Sequence, residues 1–196
     1  MTDERRAEIH RKTGETEVTV TLVLDGSGRA EVATGIGFYD HMLTALAKHA
    51  RFDLTLRCRG DLEIDDHHTA EDCALALGQA LDAALGERRG IRRFGHAYAP
   101  LDEALARAVV DLSGRPWPAI ELGLRRERLG DIACENLVHA LQSLAMASRA
   151  NLHVKVLEGD NDHHRVEAAF KATALALRMA VARDGDDVPS TKGVLA

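Results

Sequence analysis

The chain has 196 residues, room for one or two small domains, and is 45% hydrophobic but only 4% aromatic, so its core must be built mainly from Ala, Leu and Val. A net charge of −6 gives no footprint for nucleic acid or an anionic membrane surface, and no apolar run reaches the length of a membrane span. Three scattered cysteines (Cys58, Cys73, Cys134) argue against a disulfide framework and a thiolate zinc site; with a charged start that lacks a signal peptide's apolar segment, a reduced, cytoplasmic setting is expected.

Residues 1–12 are polar and are expected to be loose. Residues 15–24 alternate, with Val18, Val20, Leu22 and Leu24 on one face, which predicts a strand. Asp25-Gly26-Ser27-Gly28 is a turn, and 29–34 is read as the hairpin partner. Gly35-Ile36-Gly37 breaks the pattern. A helix follows over 39–50, with Met42, Leu43, Leu46 and Ala47 on its apolar side, and a strand over 53–59. A second helix begins at His67 and stops at Gly86. Residues 87–95 form a basic turn carrying Arg88, Arg89, Arg92 and Arg93.

The plan then recurs: strand 103–112, turn Ser113-Gly114, partner 119–124, helix 131–149, strand 151–157, helix 163–183 and an acidic loop at 184–187. Val23-Leu24-Asp25-Gly26-Ser27-Gly28-Arg29 aligns with Val109-Val110-Asp111-Leu112-Ser113-Gly114-Arg115. The chain thus reads as an internal duplication, 1–95 and 96–196, the latter including the C-terminal tail. Two tandem β-β-α-β-α repeats, each with a helical face to bury, predict one compact α+β unit packed helix to helix.

Histidines recur at matched places in the two halves. Asp65-Asp66-His67-His68-Thr69-Ala70-Glu71-Asp72 opens one helix, and Asp162-His163-His164-Arg165-Val166-Glu167 opens another. Positions i and i+4 share a helix face, so His67 and Glu71 can hold one ion, and His163 and Glu167 a second. His68 and His164 point roughly 100° further round, badly placed for that ion and well placed for a different one. His41 and His139 stand in the first helix of each half, 26 and 24 residues before His67 and His163. The eight side chains divide as three His and one Glu per ion. His68 and His164 cross to the opposite ion, and His139 and His41 complete the sets, with either pairing open. Imidazole with carboxylate suits a borderline divalent ion such as Mn, Fe, Co, Ni or Zn. Asp40, Asp65, Asp66 and Asp162 can serve as carboxylates on ring nitrogens or as helix caps.

These motifs resemble those of the imidazoleglycerol-phosphate dehydratases of histidine biosynthesis. The matching stretches are Lys12-Thr13-Gly14-Glu15-Thr16, 35–43, 65–72, 112–116, 161–171 and 190–195, nearly the whole chain. The resemblance implies a ribosomal S5 domain 2-like fold with helices between two mixed β-sheets. It implies a hydro-lyase that converts D-erythro-imidazole glycerol phosphate to imidazole acetol phosphate and water, with two Mn2+ per active site. It implies a hollow, octahedral homo-24-mer with sites built between subunits.

By the same resemblance Glu15 is the base, and the ligands His67, Glu71, His163 and Glu167 are catalytic. The substrate also meets His41, His68 and His164, while His49, Arg93, Arg115, Ser190 and Lys192 occupy phosphate-binding positions. Ala45 stands where some relatives carry a polar residue. Two other readings compete: a dinuclear metallohydrolase and a metal-storage shell protein. A hydrolase usually bridges its ions with a carboxylate, whereas this inventory is histidine-rich and symmetric, which suits capture of an imidazole.

Overall fold

The computed structural model describes residues 5–195. The first half contributes β1 (Arg6–Lys12), β2 (Thr16–Val23), β3 (Ala30–Ala33), α1 (Gly37–Ala50), β4 (Asp53–Gly60) and α2 (His67–Leu85). The second contributes β5 (Phe94–Leu101), β6 (Ala104–Asp111), β7 (Trp117–Glu121), a small hairpin of β8 (Arg128–Leu129) and β9 (Ile132–Ala133), α3 (Cys134–Ala147), β10 (Asn151–Glu158) and α4 (Asp162–Ala180). The β-β-α-β-α order is present in both halves, with a further strand, β1 or β5, in front of each. The division at 95/96 falls two residues inside β5.

The sheets run β1-β2-β4-β3 and β5-β6-β10-β7. In each, the first three strands pair antiparallel and the fourth is parallel to its neighbour, so both are mixed. α2 covers β1 and β2, α4 covers β5 and β6, and α1 and α3 lie over the far strands. Between the sheets α2 meets α3 and α1 meets α4, which gives the expected α+β sandwich with its helices inside. The core is Val18, Val20, Leu22, Leu54 and Leu56 from one sheet, Ala106, Val110, Leu152 and Val154 from the other, and an Ala-rich helical layer between them.

Small residues let the layers approach closely. A Cβ on Gly78 of α2 would lie 2.7 Å from Ala147 Cβ and 2.8 Å from Leu144 O of α3. One on Gly95 of β5 would lie 2.0 Å from Ala176 O, so α4 rests directly on that strand's backbone.

Three expectations need correction. Residues 29–34 and 119–124 are not hairpin partners of the strands before them: β3 and β7 pair parallel with β4 and β10. β3 leads to α1, and β7 leads through the β8–β9 hairpin to α3, before the chain returns to the neighbouring strand; parallel pairing requires such a crossover. Residues 6–12 are not loose but form β1; the rest of that call, on residues 1–4, lies outside the described residues. As an edge strand β1 shows charge outward and only Ala7, Ile9 and Arg11 half-buried inward, so the hydrophobic alternation is masked. Residues 131–133, read as the start of a helix, supply β9 and the N-cap of α3.

Candidate active site and metal centre

Both His-His-x-x-Glu motifs start their helices in the same way. His67 N donates to Asp65 Oδ1 at 2.8 Å, and His163 N donates to Asn161 Oδ1 at 2.9 Å. An acceptor two residues ahead holds the first turn and so fixes where the histidines emerge. Each half also supports the other's first helix. Asp131 accepts from Gly37 N and Phe38 N at the start of α1, and Asp66 accepts from Ala133 N at the start of α3.

Two three-ligand clusters result. His67, Glu71 and His139 have ligand atoms within 4.8 Å of one another, and so do His41, His163 and Glu167. The pairing left open by the sequence is therefore His139 with Glu71 and His41 with Glu167. His139 Nε2 lies 3.0 Å from Glu71 Oε1, and the His67 and His139 rings stack at 5.0 Å. His41 Nε2 and His163 Nε2 lie 3.1 and 3.2 Å from Glu167 Oε2. Two imidazoles and a carboxylate converging at that spacing are a donor set for a borderline divalent ion, so these residues fit the group that the motifs imply. Burial works to raise the pKa of Glu167, but Lys171, 2.7 Å from its Oε1, together with His41 brings it down to about 2. The carboxylate is thus ionised and ready to bind a cation.

The middle histidines face elsewhere, as their helical offset demands. His68 Nδ1 lies 3.0 Å from Asp61 Oδ2, and its Nε2 is 3.6 Å from Glu15 Oε1. His164 Nδ1 lies 2.7 Å from Glu103 Oε2, and its Nε2 is 3.8 Å from Asp102 Oδ2. A carboxylate on Nδ1 favours the proton there and leaves Nε2 facing outward. The hydrogen bonds to Asp61 and Glu103 also push the pKa of His68 and His164 upward. Glu15 occupies the exposed tip between β1 and β2, and Asp102 and Glu103 the corresponding tip between β5 and β6. Beneath Glu15, buried Asp72 Oδ2 accepts from Arg11 Nη1 at 2.7 Å and from the Thr16 hydroxyl, tying the hairpin to α2.

The expected phosphate residues divide into two places. His49, at the end of α1, sits partly buried near Lys171; burial first and Lys171 second lower its pKa. Arg93 pairs with Asp111 through Nε and Nη2 and donates from Nη1 to Pro189 O at 2.8 Å. It thereby anchors the tail that carries Ser190 and exposed Lys192 beside the end of β6. Arg115 is exposed just past that end. Among the described residues no hydrogen bond or ion pair joins Arg93, Arg115, Ser190 or Lys192 to either cluster within one chain.

Three comparisons bear on this arrangement. The family described as imidazoleglycerol-phosphate dehydratase matches residues 34–177. The chain is 53% identical to the imidazoleglycerol-phosphate dehydratase of Eremothecium gossypii, with 100% of each covered. It is 52% identical to that of Saccharomyces cerevisiae, covering 98% of this chain and 99% of the relative. This chain belongs to the imidazoleglycerol-phosphate dehydratase family. By family it is an enzyme, a hydro-lyase. A relative from Phytophthora nicotianae is 60% identical over 98% of this chain, but the match spans only 43% of that longer protein. Among solved structures, the Pyrococcus furiosus dehydratase in complex with (S)-C348 aligns with a TM-score of 0.83 at 38% identity, covering 95% of this chain and 100% of that one. The Staphylococcus aureus dehydratase aligns at 0.82 and 31% identity, covering 91% and 99%.

Several side chains around this dehydratase site escaped the sequence reading. Of the four aspartates open to either role, none meets a ring nitrogen and all are caps or loop acceptors: Asp40 accepts from Thr34, Asp65 from His67 N, Asp66 from Ala133 N and Asn136 Nδ2, and Asp162 from Arg125 N and Arg126 N. The ring nitrogens instead meet Asn136, Asp61 and Glu103. Asp61 lies in the loop before α2 and Glu103 is 61 residues from His164, so neither shares a helix with its histidine. Lys171 had a usable signal, since it continues the i+4 ladder from His163 through Glu167.

Proposed function

We propose that the chain dehydrates D-erythro-imidazole glycerol phosphate to imidazole acetol phosphate and water, as a Mn2+-dependent cytoplasmic enzyme of histidine biosynthesis with two Mn2+ per active site. The observation that carries the reading is the pair of matched His-His-Glu clusters, each with a neighbouring histidine turned outward. Such a histidine cannot complete its own chain's cluster, but it can complete one in another copy. A homo-24-mer with sites shared between subunits satisfies that demand. The clusters His67–Glu71–His139 and His41–His163–Glu167 would hold Mn2+, which would supply Lewis-acid charge and a template for an imidazole substrate.

The remaining chemistry falls to the chain's own residues. Glu15 takes the proton from the carbon that becomes the ketone, the hydroxyl on the carbon beside the ring departs as its C–O bond breaks, and the proton held by Glu15 passes to it to give water. The enol left behind becomes the keto product by moving its own proton. Arg93 spends three N–H groups on Asp111 and Pro189 and keeps two for an anion. With Arg115, Ser190, Lys192 and His49 it supplies the charge and donors that a phosphate needs.

The test is incubation of the purified protein with Mn2+ and imidazole glycerol phosphate, following the keto product. Metal uptake without product would favour a storage protein, and release of inorganic phosphate a hydrolase. Glu71→Gln should lower metal content and activity together, with partial rescue by added Mn2+. Glu15→Gln should leave metal and assembly intact while kcat falls about 10²–10⁴-fold. Near wild-type turnover by Glu15→Gln would assign the proton to another group.

A further inference from the structure

The two clusters have the same ligands but different supports. Three residues before His139 stands Asn136, and three residues before His41 stands Phe38. Asn136 is 5% exposed and wedged between Asp66 and His67. Its Nδ2 donates to Asp66 Oδ2 at 2.8 Å. Asp66, paired with Arg128 at 3.1 Å, is a carboxylate and can only accept, so the amide has one possible orientation. Its Oδ1 then faces His67 Nδ1 at 2.9 Å, and an amide oxygen also only accepts. Nδ1 of His67 must therefore carry the proton. Nε2 is left with its lone pair free, on a ring already stacked against His139.

The second cluster has no such support. The Phe38 ring meets His163 edge-on at 5.0 Å and 83°. It limits where the imidazole can lie but offers no acceptor, and among the described residues nothing accepts from His163 Nδ1. The one acceptor that the His163 ring meets among the described residues is Glu167 Oε2, 3.2 Å from Nε2, which draws the proton onto the nitrogen a cation would need, and nothing holds it on Nδ1.

We propose that Asn136 is a positioning residue that makes the His67–Glu71–His139 cluster the tighter of two unequal divalent-cation sites, by holding His67 as the tautomer with Nε2 free to bind. The proposal rests on reading the clusters as metal sites. A partner on the far nitrogen of a metal-bound imidazole fixes its orientation and raises its basicity, and losing such a partner typically costs about 10–100-fold in affinity.

The test is calorimetric titration of chelator-stripped, full-length protein with MnCl2, so the readout is metal affinity. Wild type should show two classes of site. Glu71→Gln should remove the tight class and Glu167→Gln the weak one. In the Glu167→Gln background, Asn136→Leu, close in volume and without an acceptor, should weaken the remaining class about 10–100-fold. In the Glu71→Gln background the same change should leave affinity unaltered. A loss of equal size in both backgrounds would mean general damage to the fold and would overturn the positioning role. Unchanged affinity in the Glu167→Gln background would overturn it too. Absence of Mn2+ binding by wild type would refute the metal reading itself, a different failure from the other two.

Discussion

Asp72 is the side chain whose loss should separate the placement of Glu15 from the binding of metal. It is 4% exposed, sits one residue after Glu71 of the first cluster, and holds both Arg11 and Thr16 of the β1–β2 hairpin. Asp72→Ala removes a charge-assisted bond worth about 1.5–3 kcal/mol. The Arg11 side chain is 27% exposed and its guanidinium can turn to water, which argues for the lower end. Thr16 is 3% exposed and keeps only a long contact, 3.4 Å, with the Thr13 hydroxyl, so its buried hydroxyl adds roughly 1 kcal/mol. The sum is about 2.5–4 kcal/mol, or roughly 5–16 °C in Tm for a chain of this size. The measurement is thermal unfolding at fixed protomer concentration without metal. Activity supplies the second arm: kcat should fall while Mn2+ content holds, because no cluster ligand lies on the hairpin. Once Glu15 is already Gln, adding Asp72→Ala should cost little further kcat, since the two act through one step. A Tm shift below about 1 °C would refute the stability argument. Full additivity with Glu15→Gln would refute the link to the base.

Four further outcomes follow. Chelation should abolish activity and weaken the oligomer, because histidines from different chains would share ions; an apoprotein of unchanged size by light scattering would count against sites between subunits. Metal content measured across pH should fall as the ligand histidines protonate, and the upward-shifted His68 and His164 should be the first to be lost as pH falls. Hydrogen bonds from Arg29 N and Ser27 N, outweighing burial, hold the Asp53 carboxyl well below its ordinary value of 3.8; it therefore stabilises the fold above that pH and loses the contribution as pH falls further. The stability gap between wild type and Asp53→Asn, read by denaturant titration, should accordingly narrow toward about pH 3. Gly95→Ala drives a methyl into Ala176 O and should cost about 1–3 kcal/mol in the same titration.

What could be read from the sequence was whatever is local and periodic. The i+4 spacing placed His67 with Glu71 and His163 with Glu167, and the fold keeps both pairs. β2, α2 and β10 were legible because their apolar periods are clean. β5 was not, because its inward face is Gly95, Ala97 and Ala99, chosen for closeness to α4 rather than for hydrophobicity. Strand order was hidden as well: a turn such as Asp25-Gly26-Ser27-Gly28 suggests a hairpin, yet its amides are captured by Asp53 on β4, the strand that takes the central place. Asn136 and Asp61 could not be found by spacing, since their contacts are set by tertiary packing.

The duplication also explains why neither half is a functional unit. One cluster joins α2 of the first half to α3 of the second, and the other joins α1 to α4. Each half therefore supplies a His–Glu pair to one cluster and a lone histidine to the other. The caps follow the same crossing, with Asp131 on α1 and Asp66 on α3. The bonds that register the halves against each other are thus the bonds that bring His41 to Glu167 and His139 to Glu71. Asp66 acts at both levels, since the oxygen that caps α3 also sets the Asn136 amide behind His67. The second half has no equivalent: its Asp162 spends one oxygen on two loop amides, and the other has no hydrogen-bond partner among the described residues. The pseudo-symmetry that makes two sites is therefore strict in the ligands and relaxed in their supports, and in those supports the two sites are free to differ.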